Sequence, residues 1–121
     1  MTDVKVEDSI LLSIKKNLGL EPTMTHFDPD IIMGINSALN ILTQLGVGPK
    51  EGFAIYSDEE TWDQFIGEET RLNLIKTYVQ MKVKVVFDPP SVGSVSSSYN
   101  ELIKEYEWRI NAQADPGDAF D

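Results

Sequence analysis

The chain has 121 residues, of which 41% are hydrophobic, and its formal net charge is -10 at pH 7. This length suits one domain around one core, and the absence of cysteine excludes disulfides, thiolate metal sites and cysteine nucleophiles. The sequence contains one histidine, so catalysis that depends on imidazole groups is not favoured. The strongly negative net charge also disfavours binding to the phosphates of nucleic acid.

The first predicted helix begins after Asp8 or Ser9, because either side chain can accept hydrogen bonds from the free backbone N–H groups of a first turn. Its apolar residues recur at helical spacing as far as Leu18. Gly19 follows in a position typical of a helix C-terminus. The pattern therefore predicts a short amphipathic helix.

The second predicted helix has the strongest start signal, with Asp28 at the N-cap position and Pro29 at the first helical position. Gly46 ends it. The longest uncharged run of the chain, residues 31–49, contains this helix, but several polar side chains interrupt it. We therefore expect a core helix rather than a membrane span.

After this helix, the glycines and the proline of residues 46–52 interrupt the helical pattern. Residues 53–56 are long enough for one short strand or an extended segment. Asp58 or Ser57 can then cap a short helix that contains Trp62 and stops at Gly67.

Two longer helices are predicted in the second half. Residues 68–87 follow a helical pattern that ends before two consecutive prolines. The final helix has two candidate starts, a capping box at Ser98 and an apolar stripe that begins earlier, at Val92, and we favour the earlier one. The sequence predicts an all-α fold: a small bundle of about four main helices with one short helix and a short extended segment, forming a single domain over residues 1–114. An acidic tail over residues 115–121 follows.

The helix predicted over residues 68–87 carries two apolar seams when it is projected at about 100° per residue. One seam contains Leu72, Ile75, Val79, Val83 and Val86, and the other contains Leu74, Tyr78, Met81 and Val85. One interpretation is a central helix that its own neighbours wrap on both sides. The other is that one seam contacts another subunit.

Two side chains fall at unusual positions on these helices. Lys82 lies on the apolar arc, where its ammonium group either reaches solvent or needs a carboxylate. Our hypothesis is a pair with an acid of the last helix, such as Glu105, of the same or a neighbouring subunit. Trp108 lies opposite the apolar stripe of the final helix, so we expect it to be exposed as a contact anchor, unless a lysine stem or the tail covers it.

The sequence offers no persuasive catalytic or metal site. His26, Asp28 and Asp30 alternate like metal ligands, but both acids are explained by a helix N-terminus. The glycine-rich residues 46–52 follow a helix and lack the Gly-Lys-Ser/Thr ending of a nucleotide-binding loop. Acids concentrated between residues 58 and 69 leave carboxylate-based hydrolysis as a minor alternative, although such clusters usually mark a solvated face. We expect no enzyme, no cofactor and no metal.

Several motifs follow one another in a particular order and spacing. They are HFDPDIIMGINSA (26–38), QLGVGP (44–49), Thr61-Trp62 with Phe65, IKTYV (75–79), FDPP (87–90) and EWRIN (107–111). Together they cover nearly the whole chain and resemble the small head-tail connector proteins of tailed phages.

The resemblance implies a structural virion protein of the neck, assembled in the host cytoplasm. It implies a ring of about twelve copies between the portal and the next head-closure or tail-completion protein. Such a ring extends the channel through which DNA leaves the capsid. Family members often dock on the portal through C-terminal segments, which points to the final helix, Trp108 and the tail. The family offers no catalytic residue.

Two groups of residues are our candidates for these roles. Subunit or partner contacts are expected at Tyr78, Met81, Lys82, Trp108, Arg109 and Phe120. Acids that could face the channel are Asp58, Glu59, Glu60, Asp63, Glu68 and Glu69. An acidic lumen repels duplex DNA, so the DNA would pass without specific binding. The alternative function is an acidic protein that binds a host partner, as a nucleic-acid mimic or inhibitor.

Overall fold

The structure is a computed structural model that describes residues 5–67, 70–87 and 93–114, with side chains in the last range described for residues 98–112. Within these ranges the chain forms helices and no strand, which confirms the all-α prediction. The helices are α1 (Ile10–Asn17), α2 (Asp28–Gln44), α3 (Trp62–Ile66), α4 (Leu72–Phe87) and α5 (Gly93–Ala114). None of these helices is long and apolar enough to cross a membrane.

Helix α1 starts as its sequence predicts, with Ser9 rather than Asp8 as the cap. The Ser9 backbone is extended, and its Oγ accepts a hydrogen bond from the Leu12 N–H at 3.1 Å. The helix ends at Asn17, and Gly19 adopts a φ of 80° immediately afterwards. The cap satisfies one of the free donors of the first turn.

The start of α2 corrects one prediction, because Asp28 is its first helical residue and not its cap. Phe27 occupies the N-cap position without a side-chain hydrogen bond. The Asp28 carboxylate lies instead 2.9 Å from the Lys15 ammonium of α1. It still stands in the first turn, where the helix dipole favours a negative charge, while the ion pair draws it toward α1.

The start of α3 corrects a second prediction, because Thr61 caps this helix and neither Ser57 nor Asp58 does. The Thr61 hydroxyl accepts from the Gln64 N–H, and the Gln64 side chain accepts in return from the Thr61 N–H, both at 3.1 Å. This is a complete capping box, which satisfies two free donors at once. Gly67 ends the helix as predicted.

The N-terminus is tied to the segment before α3 by two backbone hydrogen bonds. The Ile10 N–H donates to the Glu60 carbonyl oxygen at 3.0 Å, and the Trp62 N–H donates to the Asp8 carbonyl oxygen at 3.1 Å. Inside the protein, the Trp62 indole N–H donates to the Ser13 hydroxyl at 3.0 Å. Residues far apart in sequence thus fix α1 and α3 to each other.

Helix α4 is central and packs against α1, α2 and α5. Its Val83 seam faces α2, where an added Cβ at Gly34 would lie 3.8 Å from Val83. Its Tyr78 seam faces α5, to which Tyr78 hydrogen-bonds. Most of both seams is buried, which supports the interpretation of a helix wrapped by its own neighbours, although Val86 remains 77% exposed.

The observed boundaries of the last two helices agree in part with the boundaries predicted from the sequence. Helix α4 starts at Leu72 and not at residue 68, and it ends at Phe87 as predicted. Helix α5 starts at Gly93, so the earlier of its two candidate starts is correct and Ser98 lies inside the helix. Glu68, Glu69 and the tail over residues 115–121 lie outside the described residues.

Candidate contact surfaces

An open groove runs between α2 and α4, with a volume of about 770 Å³. Its lining is mainly apolar and consists of Phe27, Met33, Gly34, Val83, Val86 and Phe87, together with the polar residues Asp30, Ser37 and Lys82. Met33 is 70% exposed there, which is unusual for a large apolar side chain. Val86 is 77% exposed, so the groove is an apolar surface that the described residues leave uncovered.

The groove lies where α2 packs against α4 and Gly34 of α2 faces Val83 of α4. Gly34 carries no side chain above Val83, so the floor of the groove stays open. At one end the rings of Phe27 and Phe87 meet edge to face, with centroids 5.4 Å apart. This pair holds the N-terminus of α2 against the C-terminus of α4.

Lys82 borders this groove and a second depression between α4 and α5. The second depression also contains Asn100, Lys104 and Glu107. The residues that the structure describes give Lys82 no ion pair, and Glu105 is paired instead with Arg109, at 2.7 Å. The hypothesis of a Lys82–Glu105 pair within one subunit is therefore wrong, and the pair between neighbouring subunits stays a prediction.

Trp108 is 72% exposed on the outward face of α5, which confirms the expected exposure. Glu105 and Arg109 lie one helical turn apart beside it, and their ion pair is about half exposed. An exposed indole flanked by one acid and one base is a typical composition for a protein contact surface.

Tyr78 and Met81 lie inside the chain, with only 0% and 7% of their surface exposed. The Tyr78 hydroxyl donates to Glu107 Oε2 at 2.8 Å. Burial first, and then this hydrogen bond and the charge of Glu107, raise the pKa of Tyr78 above its ordinary value. Both residues secure α4 to α5 and offer little area to another subunit. Phe120 lies outside the described residues.

The acids proposed for a channel have different environments. The Glu60 carboxylate accepts hydrogen bonds from the backbone N–H groups of Tyr56 and Ser57, so it holds the loop before α3. Glu59 and Asp63 are exposed, and Asp58 is half-buried. Exposed acids without such bonds are free to repel a passing anion.

The described residues contain no group of three histidine or acidic side chains that could hold a metal ion. His26 packs its ring edge to face against Phe27, with centroids 4.9 Å apart. Asp28, the second member of the His26-Asp28-Asp30 motif, is engaged with Lys15.

Sequence reasoning missed the buried ion pair that joins α1 to α2. Lys15 is 1% exposed, and its ammonium group donates to the Pro22 carbonyl oxygen at 3.0 Å beside Asp28. The signal was present, since Lys15 follows Leu11 by one helical turn and so lies on the apolar face of α1. A lysine on such a face needs a buried acceptor when its stem is too enclosed to reach solvent.

The fold and these surfaces define a small acidic helical protein with an apolar groove on one side and an exposed tryptophan on another. The model of the phage connector protein family matches residues 10–117, so the chain belongs to that family. The family is structural rather than enzymatic, and its members are virion components that associate with the portal and other phage proteins. No curated protein and no solved structure matches the chain.

Proposed function

We propose that this connector forms a ring between the portal and the lower neck or tail proteins, and that the ring extends the channel through which DNA leaves the capsid. The family match over residues 10–117 carries this proposal. The groove between α2 and α4 and the exposed Trp108, which the described residues leave uncovered, support it, because contacts between two different patches close into a ring when each step adds a fixed rotation.

The charge of the chain fits a channel for DNA. A net charge of -10 on each copy makes the ring repel a duplex, so the DNA slides without sticking. We propose that Glu59 and Asp63, which are exposed, face the lumen together with Asp58, Glu68 and Glu69. Glu60 contributes less to this field than to the loop that it holds.

Docking on the portal is proposed for the C-terminal end of the chain. Helix α5 is the longest of the described helices and leads directly into residues 115–121, which carry three acids and Phe120. An acidic segment with one large aromatic side chain suits a partner that offers an apolar pocket beside basic groups.

Imaging of purified virion necks that carry a tagged copy of the chain tests the ring. We expect a ring of extra density directly below the portal. Mature particles without the tag would rule the ring out. Tight binding of the free protein to a basic host protein, together with that absence, would favour the acidic inhibitor instead.

The proposed lumen is tested by replacing Glu59 and Asp63 together with lysine. We expect normal assembly but slower DNA ejection at low ionic strength, with the rate recovering as added salt screens the new charges. The matched control replaces Glu21 and Glu51, which are exposed elsewhere, with lysine. Ejection that responds equally to both pairs of changes would contradict the placement of these acids.

A further inference from the structure

We propose that the groove between α2 and α4 receives the outward face of α5 from a neighbouring copy, with Trp108 of that copy as its anchor. The inference rests on the ring proposed above and names the surfaces that form it. Three observations support it: both surfaces expose large apolar side chains, their charges are complementary, and they lie on different sides of the chain.

The groove and the tryptophan match in character and size. Met33 and Val86, the two most exposed apolar side chains of the groove, are 70% and 77% exposed, and Trp108 is 72% exposed. A volume of about 770 Å³ is in the range of sites that enclose a bulky ligand, so one indole ring fits. Methionine adapts its shape to an aromatic partner, and tryptophan is enriched among the residues that anchor interfaces.

The charges also match. The groove presents one cation, Lys82, and one anion, Asp30, while the outward face of α5 presents Glu105 and Arg109 beside Trp108. In the proposed contact Glu105 is paired with Lys82 and Arg109 with Asp30, so that each charge meets its opposite. In the second depression Lys82 is accompanied by Lys104 and Glu107 of its own α5, one charge of each sign, so this side adds no net repulsion to an incoming carboxylate.

To form these pairs between subunits, Glu105 and Arg109 have to give up only the weak ion pair that they form with each other. Glu105 and Arg109 contact each other at 2.7 Å, and both side chains are about half exposed. Exposed pairs at this helical spacing contribute little to stability, so the two charges are available to a neighbouring subunit.

The positions of the two surfaces require a second copy. Helix α2 packs on the Val83 seam of α4, and α5 packs on the Tyr78 seam. Trp108 points away from α4 on the far side of α5, so it does not reach the groove of its own chain. A contact between two different patches is heterologous, which is the type that closes into a ring.

The tail of the same chain is a weaker candidate for the groove. Arg71 at the start of α4 donates to the Ile110 carbonyl oxygen of α5 at 3.1 Å, so the end of α5 lies at the opposite end of α4 from Val83. At 1.5 Å per residue, Ala114 and Val83 are separated by roughly 24 Å along this axis. Ala114 is the last residue of α5, so this distance separates the point where the tail begins from the groove.

Charge reversal in phage particles tests the interface. In a phage whose connector gene is replaced by variants, Lys82→Glu alone or Glu105→Lys alone is expected to reduce the connector copies per particle at least tenfold. The two changes together should restore the copy number to within threefold of the wild type. Asp30→Arg and Arg109→Asp form a second, independent pair with the same expectation. Lys50→Glu, on an exposed loop outside the groove, makes the same change of charge as Lys82→Glu and should have no effect.

Thermal melting of each purified variant confirms that it folds. Single variants that incorporate normally, or double variants as poor as the single ones although they fold, would overturn this interface. A wild-type chain that is missing from particles would overturn the ring itself. A wild-type ring that is indifferent to all four changes would overturn the interface alone.

Crosslinking gives a second readout, because the chain contains no cysteine of its own. The proposed ion pairs place the part of α5 before Glu105 near Ser37 of the groove. Particles that contain both Ser37→Cys and Glu101→Cys chains should therefore form linked dimers with a short bismaleimide. Pairing Ser37→Cys with Ala112→Cys, on the same face of α5 but beyond Arg109, should give no link. Links in the second pair only, or between the tail and Ser37, would contradict the proposed arrangement.

Discussion

Asn36 in the middle of α2 makes two hydrogen bonds to the backbone of one loop residue, Ile55. Its Nδ2 donates to the Ile55 carbonyl oxygen at 3.0 Å, and its Oδ1 accepts from the Ile55 N–H at 2.8 Å. Ile55 is fully buried, so these bonds satisfy backbone groups that water does not reach. The amide side chain supplies to Ile55 the two hydrogen bonds that a neighbouring strand would supply, in a segment that forms no strand.

Replacing Asn36 with alanine is expected to lower the free energy of unfolding by about 2 to 3 kcal/mol, because it leaves a buried donor and a buried acceptor without partners. Asn36→Asp keeps the acceptor but places a carboxylate oxygen against the Ile55 carbonyl oxygen, so it should lose at least as much. Asn40→Ala, on the exposed side of the same helix, is the matched control and should change stability by less than about 0.5 kcal/mol. Urea unfolding measures all three. Equal stabilities for the variants at positions 36 and 40 would contradict the role of this side chain.

The buried ion pair between Lys15 and Asp28 gives a second prediction. Lys15→Met should cost about 3 kcal/mol or more, because it leaves the Asp28 carboxylate without its cation. Lys15→Met combined with Asp28→Asn should recover much of that loss, since no unpaired charge remains. Lys16→Met, on the exposed side of α1, is the control and should be nearly neutral. Urea unfolding at constant ionic strength distinguishes these cases, and a double variant no better than the single one would refute the pairing.

The third prediction concerns pH. The raised pKa of Tyr78 means that the folded chain holds the phenolic proton more tightly than the unfolded chain does. Its contribution to stability is therefore complete below the ordinary tyrosine pKa of 10.0 and is lost as the pH rises above it. Tyr78→Phe should cost about 1 to 2 kcal/mol at neutral pH through the lost bond to Glu107. It should also lose less stability than the wild type above pH 10.

Tyr56→Phe serves as the control for this experiment, because Tyr56 is 80% exposed. Its stability should follow the wild-type curve across the whole pH range. Melting temperatures measured from neutral to alkaline pH compare the three chains. Identical alkaline curves for Tyr78→Phe and the wild type would show that the phenol does not contribute in this way.

Two glycines in left-handed conformations give a fourth prediction. Gly48 has a φ of 81°, and an added Cβ would lie 2.5 Å from the Phe65 ring, whereas Gly52 has a φ of 95° and open space around it. Gly52→Ala should cost about 1 kcal/mol from backbone strain alone. Gly48→Ala should cost roughly 1 to 3 kcal/mol more, because the Phe65 ring has to move. Chemical denaturation of both variants isolates the steric part, and equal losses would contradict the close approach of the ring.

The helices were predictable from the sequence because their signals are local. The Ser9 cap, the prolines after Phe87 and the apolar stripe of α5 act within a few residues, so a linear pattern contains them. The Thr61 capping box was equally local but competed with Ser57 and Asp58 as earlier candidates. In the structure the N–H and the hydroxyl of Ser57 donate to the Glu60 carboxylate, and Thr61 is the cap.

The contacts that join the helices were not predictable in the same way. Asn36 contacts Ile55, which is 19 residues later in the sequence, and Lys15 of α1 contacts Asp28 of α2, on the other side of the loop that joins the two helices. Neither partner is marked by spacing, because each is selected only when tertiary packing brings the two segments together. Tyr78 shows the same limit, since its position on an apolar seam was evident but its hydrogen bond to Glu107 depends on how α5 packs against α4.

The backbone bonds that join residues 8–10 to residues 60–62 have a consequence for biosynthesis. As the polypeptide leaves the ribosome, α1 emerges first, but the carbonyl and amide groups that complete its start are encoded about fifty codons later. Until residues 60–62 have been made, the Ile10 N–H and the Asp8 carbonyl oxygen lack these partners. Completion of the start of α1 therefore depends on how quickly translation proceeds through α2 to Trp62. A pause before Trp62 would prolong the period in which the nascent chain is open to chaperone binding, proteolysis and aggregation.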